Sequence, residues 1–132
     1  MSELDCVFCA IVAYEAPALV LYRWPEALAI VPLEPVTFGH VIVLPKVHVA
    51  DYTSDPAVSA QVMARAAQVA PYPSNLITSA GAVATQTVQH LHLHVLEDQG
   101  ALLVGVSAAK MLAMPTTEPM PSATHSLLTA VQ

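Results

Sequence analysis

The sequence predicts an α+β fold: an antiparallel β-sheet of about five strands, one main helix and a Pro/Ser/Thr-rich C-terminal tail. Three observations lead there. Five short aliphatic and β-branched runs are separated by turn signals. One segment carries a helix start, an apolar stripe and a helix stop. From Gly100 onward the composition changes: "PTTEPMPSATHS" has little to bury. Residues 1–100 are therefore expected to form one domain, and 101–132 an extension that is disordered in part.

Strands are expected at "LVLYR" (19–23) and "ALAIV" (27–31), with Arg23-Trp24-Pro25-Glu26 as the hairpin turn between them. "EPVTFG" leads into a third strand, "HVIVL" (40–44). The helix is "SDPAVSAQVMARAAQVAP": Ser54 or Asp55 caps it, Pro56 suits its first turn and Pro71 follows its end. Val58, Val62, Ala66 and Val69 form its apolar stripe, the pattern of a core-facing helix. Two more strands follow, "NLITS" (75–79) and "TVQHLHLHVL" (87–96). In the tail, "SAAKMLAM" reads as a short helix. There is no internal repeat.

Composition narrows the function classes. Apolar residues make up 55% and charged ones 11%, yet no apolar run approaches the ~20 residues of a membrane span. The richest late stretch, "ALLVGVSAAKMLAM", is shorter and carries Lys110. "MSELDCVFC" lacks the basic start and apolar core of a secretory signal, so a cytoplasmic protein without a membrane partner is expected. Net charge is −6, and the fixed cations are Arg23, Lys46, Arg65 and Lys110. Without a basic run, broad binding to a nucleic-acid backbone is not expected. A small anion held by neutral donors is compatible with this balance. Cys6 and Cys9 form a C-x-x-C, which in that compartment reads as metal-binding or redox rather than as a structural disulfide.

The stretch "QHLHLHVL" (89–96) holds half of the six histidines. On a helix, residues two and four apart point in different directions. On a strand they share a side, so His90, His92 and His94 line one face while Leu91, Leu93 and Val95 point to the core. Three readings follow. A polar sheet face that merely uses histidine accounts poorly for three in register. The spacing permits three ligands of one metal without requiring it. A catalytic face uses imidazole as nucleophile and proton carrier near neutral pH.

"HLHLHVL" resembles the His-φ-His-φ-His-φ-φ signature of the histidine-triad (HIT) superfamily of nucleotide hydrolases and transferases. "SAGAVATQTVQHLHLH" is similar to the family's N-x-G-x-x-A-G-Q-x-V-x-H-x-H-x-H and keeps Gly81, Ala84, Gln86 and Val88. "CVFCAIV" and "AIVPLEPVTFGHVIVLPKVHV" resemble its N-terminal blocks, including Gly39-His40 and Pro45-Lys46-x-His48. The resemblance covers roughly residues 5 to 96 and implies a HIT-like sheet. It also implies that His92 is a nucleophile that attacks an α-phosphate to give a nucleotidyl-imidazole. His94 and His40 are implied as phosphate contacts, and Gln86 or Thr87 as donors to phosphate or leaving group. Val7, Phe8, Ile11, Ile30 and Leu33 fall where the family builds its base and ribose pocket, although plain core packing explains each of them equally well. The implied partner is a purine nucleotide or nucleotide conjugate. Relatives are commonly dimers, which allows a homodimer, with no interface legible in the sequence.

The chemistry asks for donors, because a phosphate ester resists attack until developing charge is offset. This chain offers Gln86, Thr87, backbone amides and protonated histidine. Gly81, in the loop before the last strand, reads either as a turn or as a place for close phosphate approach. Transfer to His92 and then to water splits one hard displacement into two.

Cys6 and Cys9 have ligand spacing, and no second cysteine pair follows. In one branch of the superfamily a C-x-x-C joins the histidine after Pro-Lys and the first triad histidine on zinc. The resemblance thus implies a structural zinc on Cys6, Cys9, His48 and His90, a set that suits a closed tetrahedral site. Two buried free thiols are the plain alternative. A thioredoxin-like pair is disfavoured because no strand and helix bracket the motif.

The pattern is broken at four places. Pro32 stands where an acidic or amide residue often meets ribose hydroxyls, with Glu34 as a substitute. Ser79 replaces the usual Asn, and Thr85 the Gly before Gln86. Leu96-Glu97 follows the triad where Pro-Arg is common, and beyond Glu97 the pattern is lost. Two functions remain: a hydrolase or nucleotidyl transferase, favoured by the intact triad and Gln86, and a zinc-stabilised nucleotide-binding or regulatory module with little turnover, favoured by Pro32 and the altered end.

Overall fold

The computed structural model describes residues 5–35 and 39–98. Five strands form one antiparallel sheet: β1 (Leu19–Arg23), β2 (Ala27–Val31), β3 (Val41–Pro45), β4 (Ser74–Ile77) and β5 (Leu93–Glu97), in the order β1-β2-β3-β5-β4. Two helices accompany them, α1 (Val7–Val12) and α2 (Pro56–Val69), with one turn of 3₁₀ helix at Ala82–Ala84. The expected α+β architecture is the one observed. The tail, with its "SAAKMLAM" segment, lies outside the described residues. No helix among those described is long and apolar enough to cross a membrane.

The β1–β2 hairpin closes through the Trp24 N–H to Ala27 carbonyl bond at the expected turn. β2 and β3 are covered on both sides, so their residues sort alternately into two cores. Leu28, Ile30, Ile42 and Leu44 join Cys6, Phe8, Ile11 and Val88 on the α1 face. Ala29 and Val43 join Leu91, Leu93, Val95 and the α2 residues Val58, Val62 and Ala66 on the other. Asp55 caps α2 by accepting from the Ala57 N–H, Pro56 occupies its first turn, and the chain turns extended at Ala70. Val69 packs half-buried against the same core.

Two features differ from the expectation. The first is α1, six residues too short to show helical periodicity. Its start is capped by a sulfur, the Cys6 Sγ accepting from the Cys9 N–H, a cap outside the usual Ser/Thr/Asp/Asn set. The second is the last strand, which begins at Leu93 and not at Thr87. Residues 86–91 are tied elsewhere: Leu91 N–H bonds to the Val49 carbonyl and the Gln86 side chain bonds to Ala50 and Val88. The alternation continues through His90–His92 even so, because Leu91 stays in the α2-side core with Leu93 and Val95. Smaller shifts put His40 just before β3, and Thr78 and Ser79 just after β4.

Candidate functional site

The histidine row is buried. His90 is wholly enclosed, while His92 and His94 keep 7% and 4% of their surface. The Phe8 ring of α1 lies against two of them edge-on, with centroids 5.7 Å from His90 and 5.0 Å from His92. Helix α1 thus packs over His90 and His92, while the His94 ring meets those of His40 and His92.

Backbone carbonyls set the tautomers. A carbonyl only accepts, so the 2.7 Å contact from His92 Nδ1 to the His90 carbonyl is an N–H donation. The proton of a neutral His92 ring is therefore on Nδ1, and Nε2 carries a lone pair. Burial pushes the His92 imidazolium down to about 4, the His90 carbonyl opposing only in part. At neutral pH the ring is neutral, the form in which nitrogen can attack.

His94 Nδ1 and His40 Nε2 stand 3.0 Å apart, so one donates and the other accepts. Burial pushes His40 down to about 4 and His94 well below the usual range, with the nearby His92 and His40 adding to the second shift. Protonated histidine, one of the donors the sequence offers, is thus disfavoured at these three rings. Desolvation disfavours the cation at each, and donation must come from neutral N–H groups.

At the other end of the row, His90 Nε2 donates to the Pro45 carbonyl at 2.8 Å, which leaves its Nδ1 lone pair facing Cys6, Cys9 and His48. The distances from that nitrogen are 3.4 Å to Cys6 Sγ, 3.5 Å to Cys9 Sγ and 3.2 Å to His48 Nδ1, and Cys9 Sγ is 3.2 Å from His48 Nδ1. All four donor atoms lie within 4.8 Å of one another. Ligands held ~2.0–2.3 Å from one ion at tetrahedral corners stand about 3.3–3.8 Å apart, so the spacing fits a four-coordinate metal. The four residues come from three separate segments, and together they can hold a metal ion.

Residues 13–100 match the HIT domain family. The chain belongs to that family. A HIT-like protein of Mycobacterium tuberculosis is 39% identical over 118 residues, 83% of this chain and 82% of that one. The adenosine 5'-monophosphoramidase HNT1 of Saccharomyces cerevisiae is 28% identical, over 78% of this chain and 70% of its own. Among solved structures, a HIT family hydrolase from Clostridium thermocellum superposes with a TM-score of 0.67 at 32% identity, covering 74% of this chain and 93% of the other.

Within this HIT domain the remaining anticipated residues are placed unevenly. Val7 is half-buried, and Phe8, Ile11 and Ile30 are buried in the α1-side core. Leu33 lies apart from them on the loop after β2, 85% exposed, beside a buried Pro32 and an exposed Glu34. Gln86 is buried and fully engaged: its Oε1 accepts from the Gly81 N–H, and its Nε2 donates to the Ala50 and Val88 carbonyls. In this arrangement it braces three segments of backbone around the row. Thr87 is exposed. Gly81 has φ +90° and nothing near where a Cβ would sit, so backbone conformation, not crowding, accounts for the glycine.

Sequence reasoning missed Thr78. Its hydroxyl donates to the His92 carbonyl at 2.7 Å, a bond to which no motif points.

Proposed function

We propose that this HIT domain hydrolyses a phosphoryl bond of a purine nucleotide or nucleotide conjugate, or transfers the nucleotidyl group, through a covalent nucleotidyl-histidine on His92. One observation carries the reading: the His92 Nδ1 proton is committed to the His90 carbonyl, which leaves the Nε2 electron pair available, and burial favours the neutral ring. In the first step the Nε2–phosphorus bond forms as the bond to the leaving group breaks, and that group departs with the bonding pair and takes up a proton. Water then attacks phosphorus, its proton passes to solvent, and the bonding pair returns to Nε2. His94 and His40 are assigned to the phosphate as a pair: one ring's N–H is spent on their shared bond, and the ring that accepts there keeps its own N–H to donate to a phosphate oxygen.

Zinc is the ion we assign to Cys6, Cys9, His48 and His90, since two thiolates and two imidazoles suit it in a closed site. Its contribution is structural: it fixes α1 and His90, leaving His92 as the neighbouring ring free for chemistry.

The test is mass spectrometry of enzyme quenched during turnover of a slowly released nucleoside phosphoramidate. The expected result is a nucleotidyl adduct on His92. His92→Asn should lower turnover by at least about a thousandfold while nucleotide still raises the melting temperature. Full turnover by that variant would sink the mechanism. The engaged Gln86 amide and the buried Pro32 favour a second reading, a nucleotide-binding module with little turnover. In that case nucleotide stabilises the wild type without being consumed.

A further inference from the structure

We infer that Thr78 is a positioning residue for His92, clamping the backbone just beyond the end of strand pairing. The inference rests on the proposed role of His92 as nucleophile.

The ladder between β4 and β5 ends at Ile77 opposite His94, and that between β3 and β5 ends at Val43 opposite Leu93. His92 therefore lies one residue outside the paired part of the sheet. Two bonds hold it there from opposite ends. Leu91 N–H reaches the Val49 carbonyl at 2.8 Å, ahead of His92. The Thr78 hydroxyl, on the first residue past β4, reaches the His92 carbonyl at 2.7 Å. A side chain here extends the sheet's hydrogen bonding by one step after the backbone has stopped supplying it.

The clamp matters because the His92 tautomer is set by a bond within its own strand. Its Nδ1–H meets the carbonyl only two residues back, so ring orientation follows the local backbone. If the His92 carbonyl swings, that contact lengthens and the Nδ1 proton is no longer held in place. Nε2 then carries the electron pair for only part of the time, and its aim drifts. Substrate affinity depends on other groups, so the expected signature is a loss in kcat with KM unchanged. Misplacement of a reacting atom on the ångström scale is enough for losses of about 10²-fold, and a partial drift should cost about tenfold.

The experiment compares Thr78→Val, which keeps shape and removes the hydroxyl, with Thr78→Ser, which keeps the donor and removes the methyl. Turnover of a nucleoside phosphoramidate and nitrogen-15 NMR of the His92 ring are read on the full chain. Thr78→Val should lose about tenfold in kcat at constant KM and show mixed His92 tautomers, and Thr78→Ser should restore both. Wild-type kcat in Thr78→Val would overturn the proposal. So would equal losses in both variants, which would mark a packing role for the methyl. If the wild-type protein turns nothing over, the nucleophile reading fails by itself and the NMR arm still decides: a His92 tautomer unchanged in Thr78→Val removes the clamp, and a mixed one retains it.

Discussion

The two faces of the sheet grow from the same strands and are held by different means. On the α2 side, Leu91, Leu93 and Val95 meet Val58, Val62 and Ala66, aliphatic against aliphatic, under a helix of 14 residues with a carboxylate cap and a proline start. On the other side the intervening residues His90, His92 and His94 are also buried, the first two against a helix of six residues capped by a thiol. Apolar contacts accept graded change, because each removed methylene costs only its own transfer and cavity energy. Buried polar atoms need specific partners, so losing one strands another. The α2 face should therefore respond to substitution by degrees, and the α1 face by the loss of a whole arrangement.

The largest effect is expected at the cluster of Cys6, Cys9, His48 and His90. A six-residue helix is too short to stand on its own hydrogen bonds, so α1 depends on what ties it down. The wild-type protein should carry about one zinc per chain, and Cys9→Ser or His48→Ala should lose it. Unfolding free energy should fall by at least ~3 kcal/mol, since binding to a folded site is coupled to folding. Elemental analysis and denaturant titration check both. A zinc-free wild type whose two thiols titrate freely in the native state would leave the plain-thiol alternative and remove the contrast between the faces.

On the α2 side, Val62 is fully buried at the centre of the stripe. Val62→Ala should cost about 2 kcal/mol in the same denaturant titration and leave zinc content unchanged. Metal loss in this variant would show that the faces are not independent.

The difference between the faces also explains what could be read in advance. Helix α2 was legible because its signals are local: Asp55, Pro56, a stripe at helical spacing and Pro71 all lie within one segment. The alternation of histidine and aliphatic residues was legible for the same reason, and it survives although the strand itself starts only at Leu93. Helix α1 was not legible, since six residues hold too little periodicity and its cap is a cysteine that the sequence offers first as a ligand. The Gln86 brace and the Thr78 clamp were hidden for a different reason. Their partners are backbone carbonyls of Ala50, Val88 and His92, and a carbonyl belongs to every residue, so no side-chain pattern marks it. Motif spacing located Gln86 but not Thr78, and the engagement of both depended on the fold.

The smallest effect expected here has the opposite sign, and it tests the loop that feeds the histidine row. Thr85 adopts φ 72° and ψ 17°, left-handed backbone that is rare for a β-branched residue. The surroundings enforce it: Thr85 N–H bonds to the Ala82 carbonyl, Gln86 N–H to the Gly81 carbonyl at 3.1 Å, and the Gln86 side chain to the Gly81 N–H at 2.8 Å. Such a conformation costs on the order of 1–2 kcal/mol in a non-glycine residue. Thr85→Gly removes that strain but gives the unfolded chain more freedom, an opposing ~0.4–1 kcal/mol. The Thr85 hydroxyl also loses its bond to the Ala84 carbonyl, an exposed contact of small net value. The balance is a gain of about 0.5 kcal/mol, or a rise of roughly 2–4 °C in melting temperature for a domain of this size. A fall of the same size would mean that the left-handed turn is not kept in solution, and the Gln86 brace built on it would have to be redrawn.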